Sequence, residues 1–174
     1  MKIYDCFMYF DEDLVLDLRL NYLANFVDKF VIVENAYNHK GEKRKLQFDI
    51  KNFQKFENKI IYLPSNKIPN DIQEINTNDS EDRKYSKQII NALKRENSQR
   101  NQLEEGLSNA DQNDWVIISD IDEIPNLENL RMKDIKNKLL FFKQQMMYYK
   151  FNLRYENFVW VGSKACRKKD LISP

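Results

Sequence analysis

The segment Asp114-Trp115-Val116-Ile117-Ile118-Ser119-Asp120-Ile121-Asp122-Glu123-Ile124-Pro125 constrains the fold more than any other: an apolar, β-branched run stops on three carboxylates within four residues. Its Trp, Val and Ile side chains predict a strand buried on both faces, and in open α/β sheets ligands collect outside the carboxyl ends of such strands. Asp120 and Asp122 stand at that end. If the chain stays extended past Ser119, residues two apart point the same way. Asp120 and Asp122 then present oxygens to one hard divalent cation, while Glu123 points elsewhere. A competing reading makes the acids the start of a helix, with Pro125 at its first position and the carboxylates opposing its dipole. A helix start accounts for one or two acids, but not for a pair placed directly at the end of a buried strand.

Composition narrows the partners. The chain has 174 residues and a formal charge of +1, from 28 Lys and Arg against 27 Asp and Glu. That length predicts one domain spanning 1–174. The charge balance lacks the basic excess of a nucleic-acid protein, so no nucleic-acid partner is expected. None of the three glycines, Gly41, Gly106 and Gly162, lies near another. This removes both the dinucleotide fingerprint and the Gly-rich phosphate loop, which need glycines at fixed offsets. Cys6 and Cys166 form neither a C-x-x-C pair nor a disulfide framework, as suits a reducing compartment. With no signal-peptide core and no 18-residue apolar span, the expectation is a cytoplasmic protein without a membrane span.

Short apolar runs alternate with amphipathic segments, a pattern that favours an α/β sheet. Strands are predicted at residues 2–9, 30–33 and 60–63, and over the five-residue run of mostly Trp, Val and Ile that ends at the acids. A helix face runs through Leu16, Leu20, Leu23 and Val27. Residues 66–86, with Pro69 inside, are too long for an ordinary connection and read as a mobile loop or partly helical segment. Tyr37 to Lys45 reads as a polar, basic loop; His39, the only histidine, is expected at its surface, as are the charges of Lys43, Arg44 and Lys45. In a parallel sheet four polar strand ends share one edge: Tyr9 to Asp11, Glu34 with Asn35, Ser65 with Asn66, and Asp120 to Glu123. The ligand is expected where strand order reverses, between the first strand and the acidic one.

A helix predicted over 86–109 places Ile89, Leu93, Glu96, Arg100, Leu103 and Leu107 on one stripe at steps of four and three. An acid and a base therefore face inward. Glu96 and Arg100 can pair with each other. Alternatively Arg100 projects toward the ligand edge, where its planar fork suits phosphate or the carboxylates. Lys94 and Arg95 lie off the stripe and read as solvated.

The residues also carry a resemblance. Asp5-Cys6-Phe7-Met8-Tyr9-Phe10-Asp11-Glu12-Asp13-Leu14 with Leu16 and Arg19-Leu20, then Val27 to Asn35, His39 and Gly41, Gln99-Arg100 and Gly106-Leu107, and Ile117 to Pro125 together resemble glycosyltransferase family 17. That family includes the β-1,4-mannosyl-glycoprotein N-acetylglucosaminyltransferases that build bisecting N-glycan branches. The resemblance implies a GT-A type, Rossmann-like nucleotide-sugar fold. It further implies inverting transfer from a UDP-sugar, expected to be UDP-N-acetylglucosamine, to a glycan acceptor, with Mn2+ or Mg2+ on a D-x-D motif. Carried over by residue, Asp120 and Asp122 are the metal-binding acids, and Tyr9, Glu34, Arg100 and Asp120 are donor-side positions. Glu123, with Asp122, is assigned to catalysis, Glu123 as the base that takes the acceptor proton.

Two departures accompany the resemblance. Animal members carry an N-terminal Golgi anchor, which this sequence does not show, so a cytoplasmic enzyme with another acceptor is expected. Family members continue for roughly another hundred residues, about half a domain, so the chain reads as C-terminally short of the family, with exposed apolar surface and self-association as consequences. The rival readings are a nucleotide-sugar or glycan-binding domain without turnover, and a metal-dependent phosphatase. The phosphatase would need its D-x-D on an early strand.

Overall fold

Alternation along the central strands sorts the core into two layers, and a buried charge interrupts one of them. A computed structural model describes residues 1–150 and 152–174. The chain forms β1 (Ile3–Met8), α1 (Asp13–Leu23), β2 (Lys29–Asn35), β3 (Ile60–Ser65), α2 (Glu81–Asn101) and β4 (Trp115–Ile118). It continues through β5 (Leu139–Phe141), β6 (Gln144–Met147), β7 (Arg154–Trp160) and β8 (Lys164–Arg167). Six strands make one sheet in the order β3-β2-β1-β4-β8-β5, and β6 pairs with β7 separately. The first four run parallel, while β8 is antiparallel to both β4 and β5. The architecture is therefore a mixed α/β sheet, Rossmann-like in its parallel half.

Phe7, Phe30, Ile32, Trp115 and Ile117 face α1 and the 3-10 segment Ile50–Lys59, packing on Leu16, Leu20, Leu23, Phe53 and Phe56. Tyr4, Cys6, Val31, Val33 and Val116 face the other way, onto Leu103 and Leu107. Asp5 shares the first layer with Phe7 and is fully buried. Such a charge is tolerated only when paired and hydrogen-bonded, and Arg19 of α1 supplies the partner.

The predicted strands form; the helix face holds through Leu16, Leu20 and Leu23 but the helix ends there, with Val27 buried in the loop beyond it, and the predicted stripe of α2 does not form. The helix begins at Glu81, where Ser80 accepts a bond from the Arg83 N–H, and tightens into a 3-10 turn at Gln102–Leu107. Its buried residues are Asn91 and Gln99, while Ile89 and Leu93 are 45% and 52% exposed. Only Leu103 and Leu107 of the stripe reach the core. The first turns of α2 lie on loops rather than on the sheet, and loops present backbone groups that polar side chains satisfy. Asn91 exchanges two 2.8 Å bonds with the backbone of Gln73, and Arg95 donates to the carbonyl of His39 at 3.0 Å. Lys94 binds the Asp71 carbonyl at 2.6 Å. Lys94 and Arg95, expected to be solvated, are therefore the ties that hold the two long loops.

Of the strands beyond β4, β5 and β6 alternate exposed with half-buried residues and β7 mixes polar with aromatic side chains, which is why a search for strands buried on both faces passes over them. Every residue of β7 is exposed. No helix is long and apolar enough to cross a membrane among the described residues.

Candidate active site

The carboxylates after β4 lie on a turn, not on an extended strand. The Glu123 N–H donates to the Asp120 carbonyl at 3.0 Å, and the Asp120 N–H donates to Glu123 Oε2 at 2.9 Å. Simple alternation therefore does not aim Asp120 and Asp122 together, as the extended reading expected. The helix-start reading fails as well, since the chain after Pro125 is irregular and carries only a 3-10 turn at Met132–Asp134.

Arg19 holds this turn from beneath. Its side chain is fully buried and grips both oxygens of Asp5, at 2.8 and 2.7 Å. Nη1 donates to the carbonyls of Asp120 and Ile121 at 2.9 Å and of Glu123 at 3.3 Å, while Nη2 donates to Ser119 Oγ at 2.5 Å. A planar fork with five donors is suited to gathering several carbonyls; an ammonium is not. Sequence reasoning gave Asp5 and Arg19 no role, although both signals were present: an acid within an apolar strand, and a base between Leu16 and Leu20 on an apolar helix stripe.

Above the turn, at the reversal of strand order between β1 and β4, lies a cleft of about 780 Å³. Asp120 and Asp122 both line it, with Met8, Tyr9, Phe10, Glu12, Asn38, His39, Lys40, Glu42, Glu96 and Gln99. Five carboxylates face one lysine in this lining, and with Asp120 and Glu96 also paired to Arg100 the wall keeps a net negative charge. Tyr9 is buried, and its hydroxyl donates to Asp13 Oδ1 at 2.6 Å. Burial first, then the Asp13 carboxylate, pushes its ionisation far above the usual phenol range, so Tyr9 is a neutral wall of the cleft. His39 and Lys40 reach the same cleft because the turn at Asn38–Glu42 folds over the strand ends. Their separation in sequence from the acids had hidden this.

A second cleft, about 880 Å³, opens on the other side of Asp120. It is lined by Arg100, Val116, Ile118, Glu123, Trp160, Gly162 and Lys164, among others, and Asp120 is the one residue common to the two linings. Arg100 stands at this boundary. Its Nη2 lies 2.9 Å from Asp120 Oδ1 and 3.1 Å from Glu96 Oε1, so Arg100 pairs with Glu96 and also reaches the carboxylate of the turn. Burial opposes its charge, but the bonds to Asp120 and Glu96 outweigh that and raise its pKa above the ordinary value. Glu123 turns toward the second cleft, where the Trp160 indole N–H donates to its Oε1 at 2.5 Å.

Glu34 has a different place from the one its strand end suggested. It is fully buried and accepts from Arg44 Nη1 (2.8 Å), the N–H groups of Gln47 (2.7 Å) and Phe48 (3.1 Å), and the Tyr62 hydroxyl (2.8 Å). With its oxygens so occupied, Glu34 fastens the basic loop to β2 and β3 and does not open on the cleft. Arg44, expected at the surface, is spent on Glu34, the Asn35 carbonyl and the face of Phe10.

The α/β sheet thus carries an acid-bearing turn at its switch point, and Asp120 of that turn lines two clefts. Residues 1–170 match glycosyltransferase family 17, and the chain belongs to that family. Comparisons with curated proteins and with solved structures gave no match. Membership makes it a glycosyltransferase by family, with a sugar donor and a glycan acceptor as its substrates.

Proposed function

We propose that the chain transfers N-acetylglucosamine from UDP-N-acetylglucosamine to a glycan hydroxyl, with inversion and with the aid of Mn2+ or Mg2+. The observation that carries this reading is that Asp120 lines both clefts, since group transfer requires donor and acceptor to meet at one point. The donor occupies the cleft at the β1–β4 switch point, against Tyr9 and between Asp120 and Asp122. Among the described residues no three His, Cys, Asp or Glu side chains gather as a metal shell. Two hard carboxylates nevertheless suit Mg2+ or Mn2+, which are commonly bound through one or two acids plus substrate phosphates and water. The negative wall supports the same reading, because Glu12, Glu42 and Asp122 outnumber the one lysine of the lining and repel a diphosphate unless a cation intervenes. Bound there, such an ion would neutralise charge on the departing UDP.

The chain's own residues supply position. Arg19 and Asp5 fix the backbone of the turn, and Arg100 holds Asp120 at the boundary. Glu123, which lines the acceptor cleft, takes the proton of the attacking hydroxyl as the new bond to the anomeric carbon forms and the bond to UDP breaks on the opposite face. Thermal shift with UDP or UDP-N-acetylglucosamine, in Mn2+ and in chelator, tests the reading. Stabilisation only with the metal is the expected result; equal stabilisation in both refutes the metal role.

A further inference from the structure

The β6–β7 hairpin carries side chains that neither the core nor the donor cleft uses. Tyr155, Phe158 and Trp160 are each at least 40% exposed, and their rings form a row with centroids 5.6 and 6.2 Å apart. Regular alternation does not put residues 155 and 158 on one face. They meet because the register breaks between Gln145 and Met147: Val159 pairs with Gln145 and Arg154 with Met147, so extra residues of β7 bulge out. Asn157, within that bulge, has φ of 62°. A non-glycine residue rarely adopts this conformation, which suggests a site rather than an ordinary strand.

The row ends at the candidate active site. The Trp160 indole N–H is committed to Glu123, which leaves its ring to form the last face before the second cleft. We propose that Tyr155, Phe158 and Trp160 form a stacking platform for the acceptor oligosaccharide. This rests on the transferase reading above and names the surface that leads an acceptor to Glu123. The Phe158 and Trp160 rings, 27° from parallel, lie about a sugar ring's width apart and suit the apolar faces of successive pyranoses, while Tyr155, tilted by 55° to Phe158, bounds the end of the row. The polar residues interleaved with them, Arg154, Glu156 and Asn157, suit hydroxyl groups at the ring edges. A surface for a second protein copy would not need polar groups at that spacing.

The two tryptophans make the test direct. Trp115 is wholly buried, whereas Trp160 is 40% exposed, so emission changes on adding sugar report Trp160. Titrating manno- and chito-oligosaccharides should give a saturable change. Affinity should fall about tenfold, roughly 1.4 kcal/mol, in Phe158→Ala and in Asn157→Val, which cannot hold the bulge. Asn157→Gly, which accepts the same φ, should keep it. UDP and Mn2+ binding, measured by calorimetry on the same samples, should be equal in all variants. Absence of a saturable change overturns the platform, as do equal affinities across the variants or a dimer that Phe158→Ala dissolves. Loss of UDP binding in the wild type with sugar binding intact instead overturns the donor assignment and leaves the platform standing.

Discussion

The parallel half of the sheet and the β6–β7 hairpin hold their functional side chains in opposite ways. Around β1 and β4, Asp5, Arg19 and Ser119 are buried and hydrogen-bonded to one another, and the carboxylate-bearing turn is fixed through its backbone. On the hairpin every residue of β7 is exposed, and the hydrogen bond between Trp160 and Glu123 ties it to the turn. The first arrangement is preorganised, as a site for a charged donor must be. The second leaves its aromatic faces open, as a site for a neutral, variable sugar chain can be.

The contrast is broken most severely at Arg19. Replacing it with Met strands Asp5 in the core and should cost about 3–5 kcal/mol of stability by urea titration. The double variant Asp5→Leu with Arg19→Met should recover part of that loss; a double variant no better than the single one would mean that the charge pair is not the cause. Asp122 tests the same region without touching its packing, because it is exposed. Asp122→Ala should leave the unliganded melting point unchanged while removing the Mn2+-dependent stabilisation by UDP, about 2.7 kcal/mol at a hundredfold excess over Kd. Arg100→Lys sits between the two regions and should weaken UDP binding about tenfold, or 1.4 kcal/mol, in calorimetry. Were the Glu96 pair all that matters, stability alone would change. Val159→Ser, on the exposed strand, should shift stability by no more than about 0.5 kcal/mol. A larger loss would show that the hairpin packs against something in solution.

What the sequence disclosed follows the same division. The four parallel strands are legible because strands buried on both faces need continuous apolar runs, and the strand ends then predict the cleft. Asp120 and Asp122 line the cleft at those ends, though by way of a turn rather than an extended strand, and Arg100 reaches Asp120 alone. Glu34 misled because a strand end predicts position, not the direction in which a carboxylate finds donors. Ile89 and Leu93 misled because apolar spacing assumes a helix packed on a sheet, and α2 is held to loops by polar side chains. Trp160 and the hairpin were illegible because their contacts are few, long-range and carried by an irregular bulge.

Gly162 carries a consequence for how this sequence can vary. A Cβ at that position would overlap both the Glu123 carboxylate and the indole nitrogen of Trp160. One added methyl group therefore forces apart the two side chains that join hairpin to turn, while Asp5, Arg19 and Asp122 are untouched. Gly162→Ala should bind UDP as the wild type does and lose acceptor affinity, seen as a rise in acceptor KM without a change in donor Kd. On the proposed reading, a single nucleotide change at this codon would separate donor binding from acceptor binding.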